Sequence, residues 1–161
     1  MQKPSVPAAE PAEPKGLSWG LESRLQFIDF RLRWERRINR MDLTEHFGIS
    51  IPQASLDIAK YTELAPNNLI YDRSSKTYTA APSFHPLYQR SSVQHYLAEL
   101  LATKMGVIEP ASSFIGSAPE ADWAPSPWRT INEQTVEAVV RAIRQQEAIW
   151  VTIGCKTANC L

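Results

Sequence analysis

Two cysteines, three histidines and six glycines are all that the 161 residues contain of those types. Cys155 and Cys160 both fall in the last seven residues with no histidine beside them, so a four-ligand metal set cannot be completed there and no metal site is expected. Free thiols suit a reducing cytoplasm. His46, His85 and His95 lie on three different stretches, and no G-x-S-x-G, Walker-type glycine loop or H-E-x-x-H spacing occurs. Without a nucleophile, base and orienting group in one constellation the sequence points away from an enzyme, and it implies no cofactor. No apolar run approaches the roughly 20 residues that cross a bilayer, so no membrane partner is expected. An excess of one charge is lacking too: 17 basic side chains balance 17 acidic ones, and any basic surface must be local.

What is present is a chain long enough for one ordinary domain and an extension. Residues 1–16 interleave Pro4, Pro7, Pro11 and Pro14 with Ala and Glu and lack the apolar stretch of a signal peptide, which reads as a disordered tail. From Leu17 to Glu35, Leu21, Leu25, Ile28 and Leu32 recur at the 4, 3, 4 spacing of one helical face, joined by Phe27, Phe30 and Trp34. Asn39 and Asp42 form a capping pair for a short second helix with Leu43 and Phe47 facing inward, and Gly48 ends it. Ser50 and Gln53 have the S-x-x-Q pattern of a reciprocal capping box for a third helix, with Pro52 in its first turn. Ala54, Ile58 and Tyr61 give that helix its buried stripe before Pro66 stops it.

Two β-prone runs come next, Leu69 to Tyr71 and Thr77 to Ala80, around the polar turn Asp72 to Lys76. The order helix, helix, helix, hairpin over residues 17–88 is that of a winged helix-turn-helix. Residues 89–128 read as a linker helix, near Ser92 to Thr103 behind a Ser91/Gln94 capping box and with the stripe Val93, Leu97, Leu100 and Leu101, and then a loop containing Gly106, Pro110, Pro119, Pro125 and Pro127. Thr130 and Glu133 read as the cap of a helix bearing Val136, Val139, Val140 and Ile143, ahead of the strand-like run Ala148 to Ile153. The expected class is α+β: mostly helical with a small hairpin wing, plus a linker helix and a helix-strand fragment over residues 129–161.

In a helix-turn-helix the second helix lies in the major groove while the first braces it against the backbone. With Ala54, Ile58 and Tyr61 inward, a 100° step puts Pro52, Leu56, Ala59 and Lys60 outward, flanked by Gln53 and Ser55. Gln53 suits adenine edges, Ser55 a base or phosphate, Lys60 a phosphate and Leu56 a thymine methyl. Gln53 as a mere capping residue and Lys60 as a merely solvated lysine are equally open readings. Arg73, Ser74 and Lys76 in the wing turn suit phosphates or the adjacent minor groove. Arg36, Arg37 and Arg40, between the first two helices, stand where the DNA strand would pass. Thr44 on the second helix and Ser50 in the turn complete the candidate DNA-binding set. His46 reads as a surface or phosphate-contacting residue, Asp42 as a cap, and Asp57 as part of the third helix's flank.

The run from Asp42 to Ile58, D-L-T-E-H-F-G-I-S-I-P-Q-A-S-L-D-I, resembles the helix-turn-helix of bacterial WYL-domain transcriptional regulators, with a turn-helix pattern also found in the DeoR group. Leu25 to Leu32 before it and Pro127 to Ile131 after it are similar to the subgroup of repressors that accompany phage-defence loci. The likeness extends from about Leu17 to Thr152. It implies a homodimer built from a winged helix, a linker helix, a WYL sensor domain of small-barrel type and a dimerisation extension, repressing by occupying an inverted repeat in double-stranded DNA. Ala148 to Ile153 looks like the first WYL strand, whereas Gly154 to Leu161 does not resemble the family's continuation of that strand, and the Trp-Tyr-Leu signature is absent. The expectation is therefore a product truncated at the start of the WYL domain, with no sensor residues to carry over. A sequence-specific DNA-binding regulator is expected. A winged helix used for protein contact, or a defunct remnant of a regulator, is the alternative.

Overall fold

The computed structural model describes residues 17–121 and 132–150. Helix α1 spans Trp19–Glu35 and buries Leu25, Ile28 and Leu32 as its periodicity predicts, but also Phe27, Asp29, Phe30 and Trp34. A helix buried nearly all round belongs at the centre of a domain. Accordingly α1 is packed by the third helix, the sheet, the last helix and a 3₁₀ turn at Gln89–Ser91. The Trp34 indole N–H donates to the Ser91 carbonyl at 3.0 Å, which satisfies the one polar atom of that side chain.

The chain leaves α1 through Arg36 in the left-handed region and enters β1, Arg37–Ile38. Two residues are too few to leave a periodic signal, so this strand is invisible in the sequence. Ile38 enters the core, and Arg37 faces solvent. β1 pairs antiparallel with β3, Thr77–Ala80, which pairs in turn with β2, Leu69–Asp72. The expected hairpin is thus the outer part of a three-stranded sheet of order β1-β3-β2.

Helix α2, Arg40–Phe47, begins with the expected capping box in full: Asn39 Oδ1 accepts the Asp42 N–H at 3.0 Å and Asp42 Oδ2 accepts the Asn39 N–H at 2.7 Å. It ends at Gly48, whose φ of +64° is a conformation side-chain-bearing residues avoid. A Cβ there would meet nothing within 4 Å, so the backbone angle alone explains the glycine. Helix α3, Ile51–Leu64, buries Ala54, Asp57, Ile58 and Tyr61. Ser50 Oγ does accept the Gln53 N–H, at 3.4 Å. The return arm of that box does not form, because the Gln53 amide is turned along the helix to Asp57 Oδ1 at 2.9 Å.

Asp29 ties these parts together. Its carboxylate accepts from Tyr61 Oη (2.6 Å) on α3, from the backbone N–H groups of Leu87 and Tyr88, and from Ser91 Oγ (2.5 Å). Burial pushes the Asp29 carboxyl above its ordinary range while those donors pull the other way. This also corrects the linker-helix cap: Ser91 is buried against Asp29, and the N-cap of α4, Val93–Lys104, is Ser92, which accepts the His95 N–H. α4 turns Val93, Tyr96 and Glu99 inward; Leu97 and Leu100 are half-buried and Leu101 is exposed. The apolar stripe read from the sequence is therefore only partly covered.

The segment after α4, expected as a long loop, returns to the core. Phe114 and Ile115 are buried, and Phe114 sits edge-on to Phe27 and Phe30. Two carboxylates pin it: Glu99 accepts from Ser113 Oγ and from the Phe114 N–H, and Glu35 accepts from the Gly116 and Ser117 N–H groups. Helix α5, Glu133–Gln145, is capped by Asn132, not Thr130, through the Thr135 N–H at 3.0 Å. It buries Val140 and Ala142, and Arg33 of α1 reaches Glu137 on it at 2.5 to 2.8 Å. Ala148 to Trp150 are exposed and irregular rather than extended in a sheet. The rest of that expected strand, residues 1–16, Pro127 to Ile131 and both cysteines lie outside the described residues.

Candidate nucleic-acid interface

The outward side of α3 is set by what its inner side buries. Ile51, Pro52, Leu56 and Ala59 are exposed, Leu56 at 64%, and Gln53, Ser55 and Lys60 are half-buried beside them. Leucine and isoleucine in that state contribute nothing to the core, and apolar atoms held outward suit contact with thymine methyl groups. Ile51 is not among the residues that the helical step places here; its exposure comes from its position at the first turn of α3. Ser55 Oγ donates to the Ile51 carbonyl at 3.0 Å, leaving its lone pairs outward. Ser50 is exposed and occupied as the helix cap. Lys60 Nζ sits 2.9 Å from Glu63. An exposed pair of this kind is worth at most about 1 kcal/mol, so the ammonium can be recruited by a phosphate.

On α2, Arg40 is the first helical residue, with no ion pair among the described residues, and the Thr44 hydroxyl donates to the Met41 carbonyl at 2.9 Å. The wing turn is shaped by Asp72. Its carboxylate accepts from the Ser74 N–H, Ser74 Oγ and Ser75 Oγ at 2.6 to 2.9 Å, and these donors, Ser75 first, hold its pKa down to about 2. The Ser74 hydroxyl hydrogen is therefore directed at Asp72, not outward. Arg73 and Lys76, the latter at φ +55°, are exposed at the tip and make no ion pair among the described residues. Arg37 shares that condition on β1.

Two readings from the sequence change. His46 is half-buried rather than a free surface residue: its ring is stacked on Phe27 at 4.6 Å and edge-on to Phe47 and Phe114. Burial first, and the Arg31 charge next, lower its pKa below the ordinary 6.5. Asp57 is not a flank residue but is buried, paired with Arg24 of α1 through Nε at 2.6 Å and a terminal nitrogen at 3.2 Å. Its spacing from Gln53, four residues on one helix face, is the signal for the 2.9 Å contact between those two side chains, whereas Arg24, 33 residues away, leaves no local signal.

A core helix, a two-helix turn set by a left-handed glycine and a three-stranded wing form a complete winged helix-turn-helix, and residues 20–102, just over half the chain, match the BrxR transcriptional regulator winged helix-turn-helix domain. The chain belongs to that family. It is also similar to the DNA-binding transcriptional repressor CapW of Escherichia coli (strain KTE188), 45% identical over 137 residues, which are 85% of this chain and 46% of that protein. The same repressor of Stenotrophomonas maltophilia is 44% identical over 133 residues, 83% of this chain and 44% of its own. That of Pseudomonas aeruginosa is 44% identical over 131 residues, 81% and 44%. The chain thus spans somewhat less than half the length of these relatives. The regulator family expected from the run Asp42 to Ile58 agrees with these matches. Among the described residues no helix is long and apolar enough to cross a membrane, and no cluster of three or more His, Cys, Asp or Glu is placed to hold a metal.

Proposed function

We propose that this chain is a sequence-specific DNA-binding transcriptional repressor, cytoplasmic and without enzymatic activity. In this reading α3 lies in the major groove and the wing tip on the flanking backbone. The observation that carries it is the outward side of α3 in a BrxR-type domain: Gln53, Ser55 and Leu56 stand at the N-terminal half of the helix, which is the part of a recognition helix that reaches base edges. Arg40, Lys60, Arg73 and Lys76 supply phosphate contacts, and Thr44, Ser50, Pro52 and Ser74 frame the approach. The CapW relatives, named as DNA-binding repressors, support this role. Two copies on an inverted repeat, a WYL-type continuation beginning with α5, and service at a phage-defence locus belong to the same proposal.

A protein-contact module is the second reading, favoured by the exposure of Ile51 and Leu56. Titrating the chain against duplex from its own upstream region and against scrambled duplex, at two salt concentrations, separates the two. Selective binding that weakens steeply with salt supports the repressor, because phosphate contacts release counterions. Absence of duplex binding at low salt rejects it.

A further inference from the structure

Gln53 is held on the inner side by an ion pair between the buried Asp57 and the part-buried Arg24. Arg24 donates to both oxygens of Asp57, from Nε to Oδ2 at 2.6 Å and from a terminal nitrogen to Oδ1 at 3.2 Å, so both oxygens already act as acceptors. Asp57 Oδ1 also takes the hydrogen bond from Gln53 Nε2 at 2.9 Å. A glutamine amide has two faces of opposite hydrogen-bonding sense, and a solvated one presents either by rotating its last bond. Here the acceptor on the inside admits only the nitrogen. The carbonyl Oε1, which has no hydrogen-bond partner among the described residues, is left for whatever lies against α3.

From this geometry we infer that the Arg24–Asp57 pair sets the base preference of the recognition helix by fixing Gln53 with its carbonyl outward. This deepens the DNA-reading role proposed for α3 and rests on it. An outward carbonyl accepts from an exocyclic amino group. In the major groove adenine offers N6–H₂ and cytosine N4–H₂, whereas guanine offers O6 and N7 and thymine O4, all acceptors. Gln53 retains a second amide hydrogen, which matches adenine N7. The base selected opposite Gln53 is therefore adenine, with cytosine next, and guanine and thymine are disfavoured because they set an acceptor against the outward carbonyl. Asp57 and Arg24 touch no base in this scheme; they are positioning residues.

Asp57→Asn reverses the logic. The shortest of the three contacts is that from Arg24 Nε, at 2.6 Å, so the single carbonyl of an asparagine stays with it, the 3.2 Å contact from the Arg24 terminal nitrogen is given up, and the amide nitrogen turns toward Gln53. Gln53 must then rotate, put its carbonyl inward and show its NH₂ outward, so the preferred base becomes guanine or thymine. The test is selection from a duplex pool with a randomised core, using the full chain as wild type, Gln53→Ala and Asp57→Asn. The expected result is one position at which wild type prefers adenine or cytosine by roughly tenfold or more over guanine and thymine. Gln53→Ala loses that preference, and Asp57→Asn inverts it. Wild-type selection of guanine or thymine at the Gln53-dependent position overturns the inference even if Asp57→Asn fails to fold. So does an unchanged preference in a folded Asp57→Asn, or no Gln53-dependent position at all. A wild-type chain that enriches no sequence from the pool rejects the DNA-reading function itself, a result distinct from all of these.

Discussion

The His46 imidazole packs against three aromatic rings contributed by α1, α2 and the segment after α4. Phe27, Phe47 and Phe114 cover one side of this half-buried ring, and burial lowers its pKa. The folded state therefore favours the neutral ring. For a depressed pKa the associated stability is present above the unfolded value near 6.5 and is lost as pH falls from there through the lower folded value, because the unfolded chain binds the proton more readily. Thermal unfolding at pH 7.5, 6.5 and 5.5 should thus show a Tm that declines with acidification. His46→Phe keeps an aromatic ring in the cluster without the titration, and its Tm should decline less over the same interval, by on the order of a few degrees. Parallel declines would mean that His46 does not couple folding to pH.

At the scale of elements, the sequence is readable where the determining contacts are local. The Asn39/Asp42 box and the Gly48 stop each depend on residues within four positions, the two β-prone runs and their polar turn lie within twelve, and each is found as expected. It is unreadable where partners lie far apart. Phe114 and Ile115 sit in a stretch that looks like loop, and the contacts that draw it back to the core, with Phe27, Phe30 and Glu35 of α1 and Glu99 of α4, are distant in sequence or hidden in a polar side chain. Ser91 loses its capping role to a bond with Asp29, 62 residues away. Two local patterns compete for the Gln53 side chain, the cap at Ser50 and Asp57 one turn on, and the choice between them involves Arg24, 33 residues from Asp57. The helix-turn-helix angle is a local property with a direct test. Gly48→Ala forces a side chain into φ +64° and should lower stability by about 1 kcal/mol. Gly20→Ala, inside the first turn of α1 with only Arg24 at 3.4 Å, should raise it by up to about 1 kcal/mol. Urea denaturation of the two variants should move in opposite directions. A Gly48→Ala variant no less stable than the wild type would show that backbone conformation at Gly48 is not what holds the turn.

For the molecule as a whole, the balance of 17 basic and 17 acidic residues removes any long-range attraction to DNA, so affinity must come from placed cations at the contact itself. Those cations differ in how free they are. Lys60 is paired with Glu63, whereas Arg73 and Lys76 at the wing tip have no ion pair among the described residues. Replacing both wing residues with alanine should weaken binding to specific and scrambled duplex by similar factors, leaving their ratio unchanged, since phosphate contacts carry no sequence information. It should also flatten the dependence of log K on log salt by about 0.9 per contact removed. That makes the change about 2 if one copy of the chain occupies each duplex, and about 4 if two copies do. The slope therefore reports stoichiometry along with placement. A change near 4 on an inverted repeat, reduced to near 2 on a half-site duplex, is the expected pattern for a symmetric pair. An unchanged slope on both would remove the wing from the DNA backbone altogether.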